Sequence, residues 1–280
     1  LKYNPGKDLL LITSVKRNLK KILVYNIRNK KIKVIDRIKD NSNDEAFYIS
    51  WKNREEVAYI KSIKGKNFII NNNTITNKKE YKSLEKFERV SGFSYNSNES
   101  LIAVSGSINN QKDIYLLSAN SSNMKKITDD KFDDIYPKFF KNSTSIAFSS
   151  NRNNSNLNEK DNFSEFNESY NIFLYNLDTT TNELVQLTNE LNNNIKIKTL
   201  SNNEVLFLSD KKGIFNLYKQ KISSNSIQTT DFNTDIINFD YDENDKKLIF
   251  NSLSNGEIII SEIENFNINQ SQYGNQTARV

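Results

Sequence analysis

The chain has 280 residues, no cysteine and no histidine, and 39 basic residues against 34 acidic ones, a net charge of +5. These counts exclude disulfides, thiolate metal sites and any catalytic triad or dyad built on histidine or cysteine. The mixed charge describes a solvated surface rather than a nucleic-acid stripe, and no apolar run reaches transmembrane length, so membrane insertion is not expected.

Hydrophobic content is only 36%, but aromatic residues make up 11% and bury large areas each, so the core is expected to rest on Phe and Tyr. With 7 Gly and 2 Pro in the chain, Asn must fill many turn positions, because it tolerates left-handed backbone better than most residues. The apolar residues come in short runs bounded by polar turns, the pattern of strands rather than helices. Those runs repeat. Ile12, Tyr59, Val104, Phe148, Phe207 and Phe250 occupy one recurring slot, 47, 45, 44, 59 and 43 residues apart by subtraction.

The first copy spans 1–40. Leu1-Lys2-Tyr3 is its expected innermost strand, followed by Leu9–Ile12, Ile22–Tyr25 and the alternating Lys31–Ile35. The second, 46–87, has Trp51 at the end of its first strand, expected in the core, and an ill-defined outer strand around 81–87. The third is 90–128. The fourth, 133–190, carries a polar insertion at 153–169 that has no sustained periodicity and is expected to be a loop. The fifth, 194–231, has Gly213 where a tight hairpin needs positive φ. The sixth, 235–268, has the hairpin signal Asn255-Gly256, and Phe266-Asn267-Ile268 is its expected outer strand. Residues 267–280 form a polar tail. The chain opens on Leu1 rather than Met, which suits a piece of a longer protein. Six four-stranded antiparallel units in sequence predict an all-β, six-bladed propeller spanning 1–266, closed by side-chain packing between the first and last blades.

The fourth copy contains Ile127-Thr128, Asp134-Ile135-Tyr136-Pro137-Lys138-Phe139, Ile146–Arg152, Ile172–Asn176 and Leu187-Thr188. This string resembles the repeat of the TolB-like β-propellers. The third and fifth copies resemble it in part, and the turn Ser-Pro-Asp-Gly of that repeat is replaced by Lys141-Asn142-Ser143-Thr144 and Tyr95-Asn96-Ser97-Asn98. The resemblance implies an envelope-associated, periplasmic bacterial propeller that binds a protein or peptide partner. Similar repeats also occur as accessory, substrate-gating domains of longer enzymes such as peptidases.

Chemistry within the chain points to binding rather than catalysis. The carboxylate pairs Asp133/Asp134 and Asp129/Asp130 are adjacent in sequence, so on a strand they face opposite sides. Asp240, Asp242, Glu243 and Asp245 cluster at a turn followed by Lys246-Lys247, which reads as a solvated hairpin rather than a calcium site. The Gly-rich phosphate loops are absent, and no cofactor or metal is expected. Arg152 and its neighbours are the best binding candidates, with Asp133 or Asp134 as ion-pair partners. The candidate set is Asp133, Asp134, Tyr136, Arg152 and Asp210, at a channel mouth or between blades.

Overall fold

The computed structural model describes residues 1–6, 8–16, 19–39, 48–141, 144–152, 155, 157, 168–178, 184–201 and 203–272. They form strands and turns, with no helix among them. The chain divides into two compact units, Leu1–Val90 and Ser91–Val280.

The first unit holds two four-stranded antiparallel sheets. Strands β1 (Lys2–Tyr3), β2 (Leu9–Lys16), β3 (Leu19–Asn26) and β4 (Ile32–Lys39) pair in sequence order. So do β5 (Ile49–Trp51), β6 (Glu56–Ile63), β7 (Lys66–Asn73) and β8 (Lys79–Ser83). The two sheets bury Leu11, Ile22, Val24, Ile35, Trp51, Val57, Tyr59 and Ile70 against each other. Trp51 lies in that core as expected, and its Nε1 donates to the Lys2 carbonyl at 3.1 Å. Lys2 and Tyr3 pair with Leu11 and Leu10, so the innermost strand of the first sheet is the expected one. The ill-defined outer strand of the second copy is β8. The stretch that follows it is a turn closed by the Phe87 N–H on the Leu84 carbonyl, with both side chains buried.

The second unit holds four sheets. Strands β9 (Arg89–Tyr95), β10 (Leu101–Ile108), β11 (Gln111–Ser118) and β12 (Met124–Lys126) form the third sheet of the chain. The fourth is β13 (Asp134–Phe139), β14 (Ser145–Ser150), β15 (Asn171–Asn176) and β16 (Val185–Gln186). The fifth is β17 (Asn194–Thr199), β18 (Glu204–Ser209), β19 (Asn216–Lys221) and β20 (Ile227–Gln228). The sixth is β21 (Ile236–Asp242), β22 (Lys247–Ser254) and β23 (Glu257–Ile263). All six recurring slots fall on the second strand of their sheet, where Tyr59, Val104, Phe148 and Phe207 are fully buried. Successive antiparallel meanders of this length are the blades of a β-propeller fold.

Three expectations need correction. The sixth sheet has three strands, not four: 266–268 is not a strand, because Phe266 and Ile268 instead pack on the core of the fifth and sixth sheets. Gly213 does take positive φ (84°), but it sits in a longer connection, 210–215, rather than a tight hairpin. Residues 267–272 are not a free tail. The Gln272 N–H donates to the Gln228 carbonyl at 2.9 Å, tying this stretch to the fifth sheet. Most of the insertion at 153–169, and residues 273–280, lie outside the described residues. The Asn255-Gly256 turn is as expected, with φ of 50° and 80° between the paired Ser254 and Glu257.

Candidate functional site

The local geometry around Arg152 follows from a repeated device in the second unit. A threonine just after the outer strand of each of three sheets accepts an N–H from the third strand: Ile114 to Thr128 at 2.9 Å, Ile172 to Thr188 at 2.8 Å, Leu217 to Thr230 at 2.9 Å. The same hydroxyl donates to the residue just before that N–H: Asp113 at 3.4 Å, Asn171 at 2.9 Å, Asn216 at 2.8 Å. A serine on the second strand then donates to the carbonyl that opens the next sheet, Ser105 to Asp134 at 2.6 Å and Ser149 to Asn194 at 2.9 Å. These bonds satisfy buried backbone groups where one sheet hands over to the next.

Between the fourth and fifth sheets that junction is neutral. Asn194 donates to Asn171 at 3.2 Å, and Asn192 donates to Asn194 at 3.2 Å and to Ser209 at 2.7 Å. Between the third and fourth sheets the same places carry charge. Arg152 is fully buried. Its Nη2 reaches both Asp134 oxygens at 3.0 and 2.9 Å and Asp130 at 3.0 Å, and its Nε donates to Ser150 at 2.9 Å. The guanidinium carbon lies 5.5–5.8 Å from the ring centres of Phe132, Phe173 and Phe148, within reach of their π faces. Lys126 adds an ion pair to Asp113 at 2.9 Å.

Burial pushes the Asp134 carboxyl up and Arg152 opposes it, with Asp130 adding to the rise. Burial also lifts Asp113, to about 7, against the pull of Lys126. Lys126 rises, its own burial being outweighed by hydrogen bonds to Asp129 and Asp113. Oxygens of Asp113, Asp130 and Asp134 lie within 4.8 Å of one another, a spacing that suits a metal. Arg152 already supplies a cation among them, its Nη2 shared between Asp134 and Asp130.

The structure thus brings Asp134 and Arg152 together and places the other candidates elsewhere. Asp133 faces outward and pairs with Lys112 at 2.6 Å. Tyr136 sits at a bulge in β13 with φ of 56°, and burial pushes its phenol up. Asp210 clips the fifth sheet: its carboxylate takes the Asn193 N–H at 2.6 Å and the Asn193 side chain at 3.1 Å. The Asp240–Asp245 turn splits likewise. Asp240 pairs with Lys198 at 2.5 Å, and Asp242 accepts the N–H groups of Asn244 and Asp245.

Sequence reasoning missed Asp113 and Tyr170. Asp113 was detectable as the acidic residue at the position held by Asn171 and Asn216. Tyr170 lies beside Asp133, and burial with that charge pushes its phenol up to about 12. A polar recess of about 480 Å³, lined by Asn96, Asn98, Thr144, Asn176 and Asp178 among others, also went unread because its residues are dispersed turn positions.

The sheets and their junctions define a β-propeller held together by buried polar handovers. Neither a protein-family model nor a curated protein sequence matches the chain. Solved structures do match in fold. TolB from Acinetobacter baumannii is 12% identical with a TM-score of 0.70, over 93% of this chain and 62% of that one. The chain therefore spans less than two thirds of that protein. A putative TolB from Agrobacterium tumefaciens is 14% identical with a TM-score of 0.68, over 90% and 86%. The propeller domain of the Trilobed protease from Pyrococcus furiosus, described as having an open velcro topology, is 14% identical with a TM-score of 0.60, over 95% and 81%. At these identities the likeness is one of fold.

Proposed function

We propose that the chain is a non-catalytic scaffold of the bacterial cell envelope that binds a protein or peptide partner. The observation that carries this reading is an exposed apolar patch on the sixth sheet. Leu253 lies opposite Ile258 across β22 and β23, and Ile260 follows two residues on along the same face, at 53, 63 and 44% exposed. Contiguous apolar surface of this kind marks an interaction site. The charged cluster at Arg152 supports the non-catalytic side of the reading, because side chains with no exposure cannot meet a substrate. The envelope setting rests on the resemblance of the repeats to TolB-like propellers.

The test is affinity capture from envelope extract with the wild-type chain and with the double variant Ile258→Lys/Ile260→Lys. A partner held by the wild type and lost by the variant supports the reading. Identical sets recovered by both overturn it. A second reading, an accessory domain of a longer enzyme such as a peptidase, is favoured by the likeness to the Pyrococcus protease propeller domain over 95% of this chain. An enzymatic domain encoded in the same reading frame would favour it.

A further inference from the structure

Five of the six sheets end in a fourth, outer strand and the sixth does not, although every sheet is built from consecutive strands. Its last strand, β23, is therefore an edge, with alternate residues directing backbone N–H and C=O groups outward. Among the described residues no strand pairs with that edge.

The other outer edges are blunted. Strands β12, β16 and β20 are only two or three residues long. The longer β4 and β8 carry Lys33, Arg37 and Lys39, and Lys79, Glu80 and Lys82, along their length. Short length and edge charges, lysine above all, are how sheets avoid unwanted pairing. The seven residues of β23 hold three consecutive isoleucines, exposed on both faces at 63, 44 and 44%, with no lysine, arginine or proline. An edge of this composition pairs readily with another strand.

We propose that β23 is the acceptor edge for an extended segment of a partner protein, which adds as the fourth strand of the sixth sheet. This deepens the reading above and rests on it. The segment is basic, with β-branched residues at alternate positions. Glu257, Glu262 and Glu264 flank the isoleucines; Lys247 lies 3.9 Å from Glu262 and 3.7 Å from Glu264, and Glu257 stands at the far end of the strand, opposite Ser254. Among the described residues that follow β23, the Phe266 N–H bonds the Lys246 carbonyl and the Gln272 N–H reaches Gln228 in β20, away from the edge. A second copy is disfavoured, since edge-to-edge pairing of two β23 strands collects both sets of glutamates. Strand addition draws affinity from main-chain hydrogen bonds and selectivity from alternate side chains.

The test uses the whole chain and a labelled heptapeptide, Lys-Val-Arg-Val-Lys-Val-Thr, read by fluorescence anisotropy and amide hydrogen exchange. Two control peptides replace every Lys and Arg by Glu, or methylate alternate backbone nitrogens. The basic peptide is expected to bind saturably and to slow exchange in 257–263, and each control is expected to bind about tenfold or more weaker. Glu257→Gln/Glu262→Gln weakens the basic peptide without altering thermal stability. No saturable binding below about 1 mM, equal binding of the methylated peptide, or protection outside 257–263 overturns strand addition. A dimer in sedimentation that Ile260→Lys abolishes assigns the edge to a second copy and overturns the heterologous partner. If the peptides fail while the patch variant still loses its captured partner, strand addition falls and the protein-binding reading stands.

Discussion

Replacing Arg152 by Met removes the one cation held between Asp130 and Asp134 while keeping an unbranched apolar stem among Phe132, Phe148 and Phe173. Asp134 is fully buried and loses two contacts at 2.9 and 3.0 Å. Breaking a buried pair by removing one partner costs about 3–5 kcal/mol. In a domain of this size 1 kcal/mol moves the melting temperature by about 2–4 °C, so the variant is expected to melt about 6–20 °C lower. The neutral junction between the fourth and fifth sheets supplies the control. There Asn171, Asn192 and Asn194 do the same work without charge, so Arg152→Gln combined with Asp134→Asn should cost at least about 2 kcal/mol less than the two single changes added. Thermal melts and urea titrations followed by circular dichroism give both numbers. A shift under about 2 °C for Arg152→Met, or strict additivity of the single changes, refutes the view that the pair holds the third and fourth sheets together.

Three further outcomes are expected. Asp113 has a folded-state pKa raised to about 7 from the ordinary 3.8, so the native form keeps a proton that the unfolded chain loses, and stability falls as pH rises between those values. Asp113→Asn, which matches Asn171 and Asn216, should therefore stabilise at pH 8 and lose that advantage progressively towards pH 4 in pH-dependent melts; a gain independent of pH would contradict this. Glu99 holds φ of 61° in a turn, and Glu99→Gly should add about 0.5–1 kcal/mol, visible as a higher urea midpoint. In the first unit, burial pushes Asp36 up, but hydrogen bonds from Tyr59, Lys61 and the Arg37 N–H outweigh it and hold it below its ordinary range. That stability is present above the ordinary pKa and lost as pH falls through the lowered one. Tyr59→Phe, which deletes a 2.7 Å bond to Asp36, should cost about 1–2 kcal/mol at pH 7 and less near pH 3.

The second strand of every copy was legible because burial on both faces writes a continuous apolar run, as in Val205–Leu208 and Ile146–Phe148. The Asn255-Gly256 turn was legible because few other pairs accept two positive φ angles in a row. The outer strands were legible only in part. The alternating Lys31–Ile35 falls on β4, but β20 has two residues and β8 is polar on both faces, so no periodicity survives there. Of the candidate residues, Arg152 and Asp134 were found because both belong to one repeat, 18 residues apart. Asp113 and Asp130 come from the neighbouring sheet and its connection, and only the handover between sheets brings them in. Asp133 was joined to Asp134 by sequence adjacency alone. The strand turns one inward and the other towards Lys112.

The inner and outer ends of the sheets answer to different constraints. Near the junctions the third, fourth and fifth sheets satisfy the same buried N–H and carbonyl groups, so threonine and Asn or Asp recur there at fixed positions whatever the rest of the copy does. Nothing of the kind acts on an outer edge, where backbone groups can bond water and the remaining requirement is to avoid the wrong strand. Strands β12, β16 and β20 meet it by brevity, and β4 and β8 by charge. Strand β23 has seven residues and no lysine or arginine, only Glu257 and Glu262, and its three consecutive isoleucines, 258–260, add nothing to the core of the fifth and sixth sheets, which draws on Ile263, Phe266 and Ile268 instead. Residues that neither build the core nor guard the edge have no structural reason to be isoleucine, which is the physical argument for a partner strand at Glu257–Ile263.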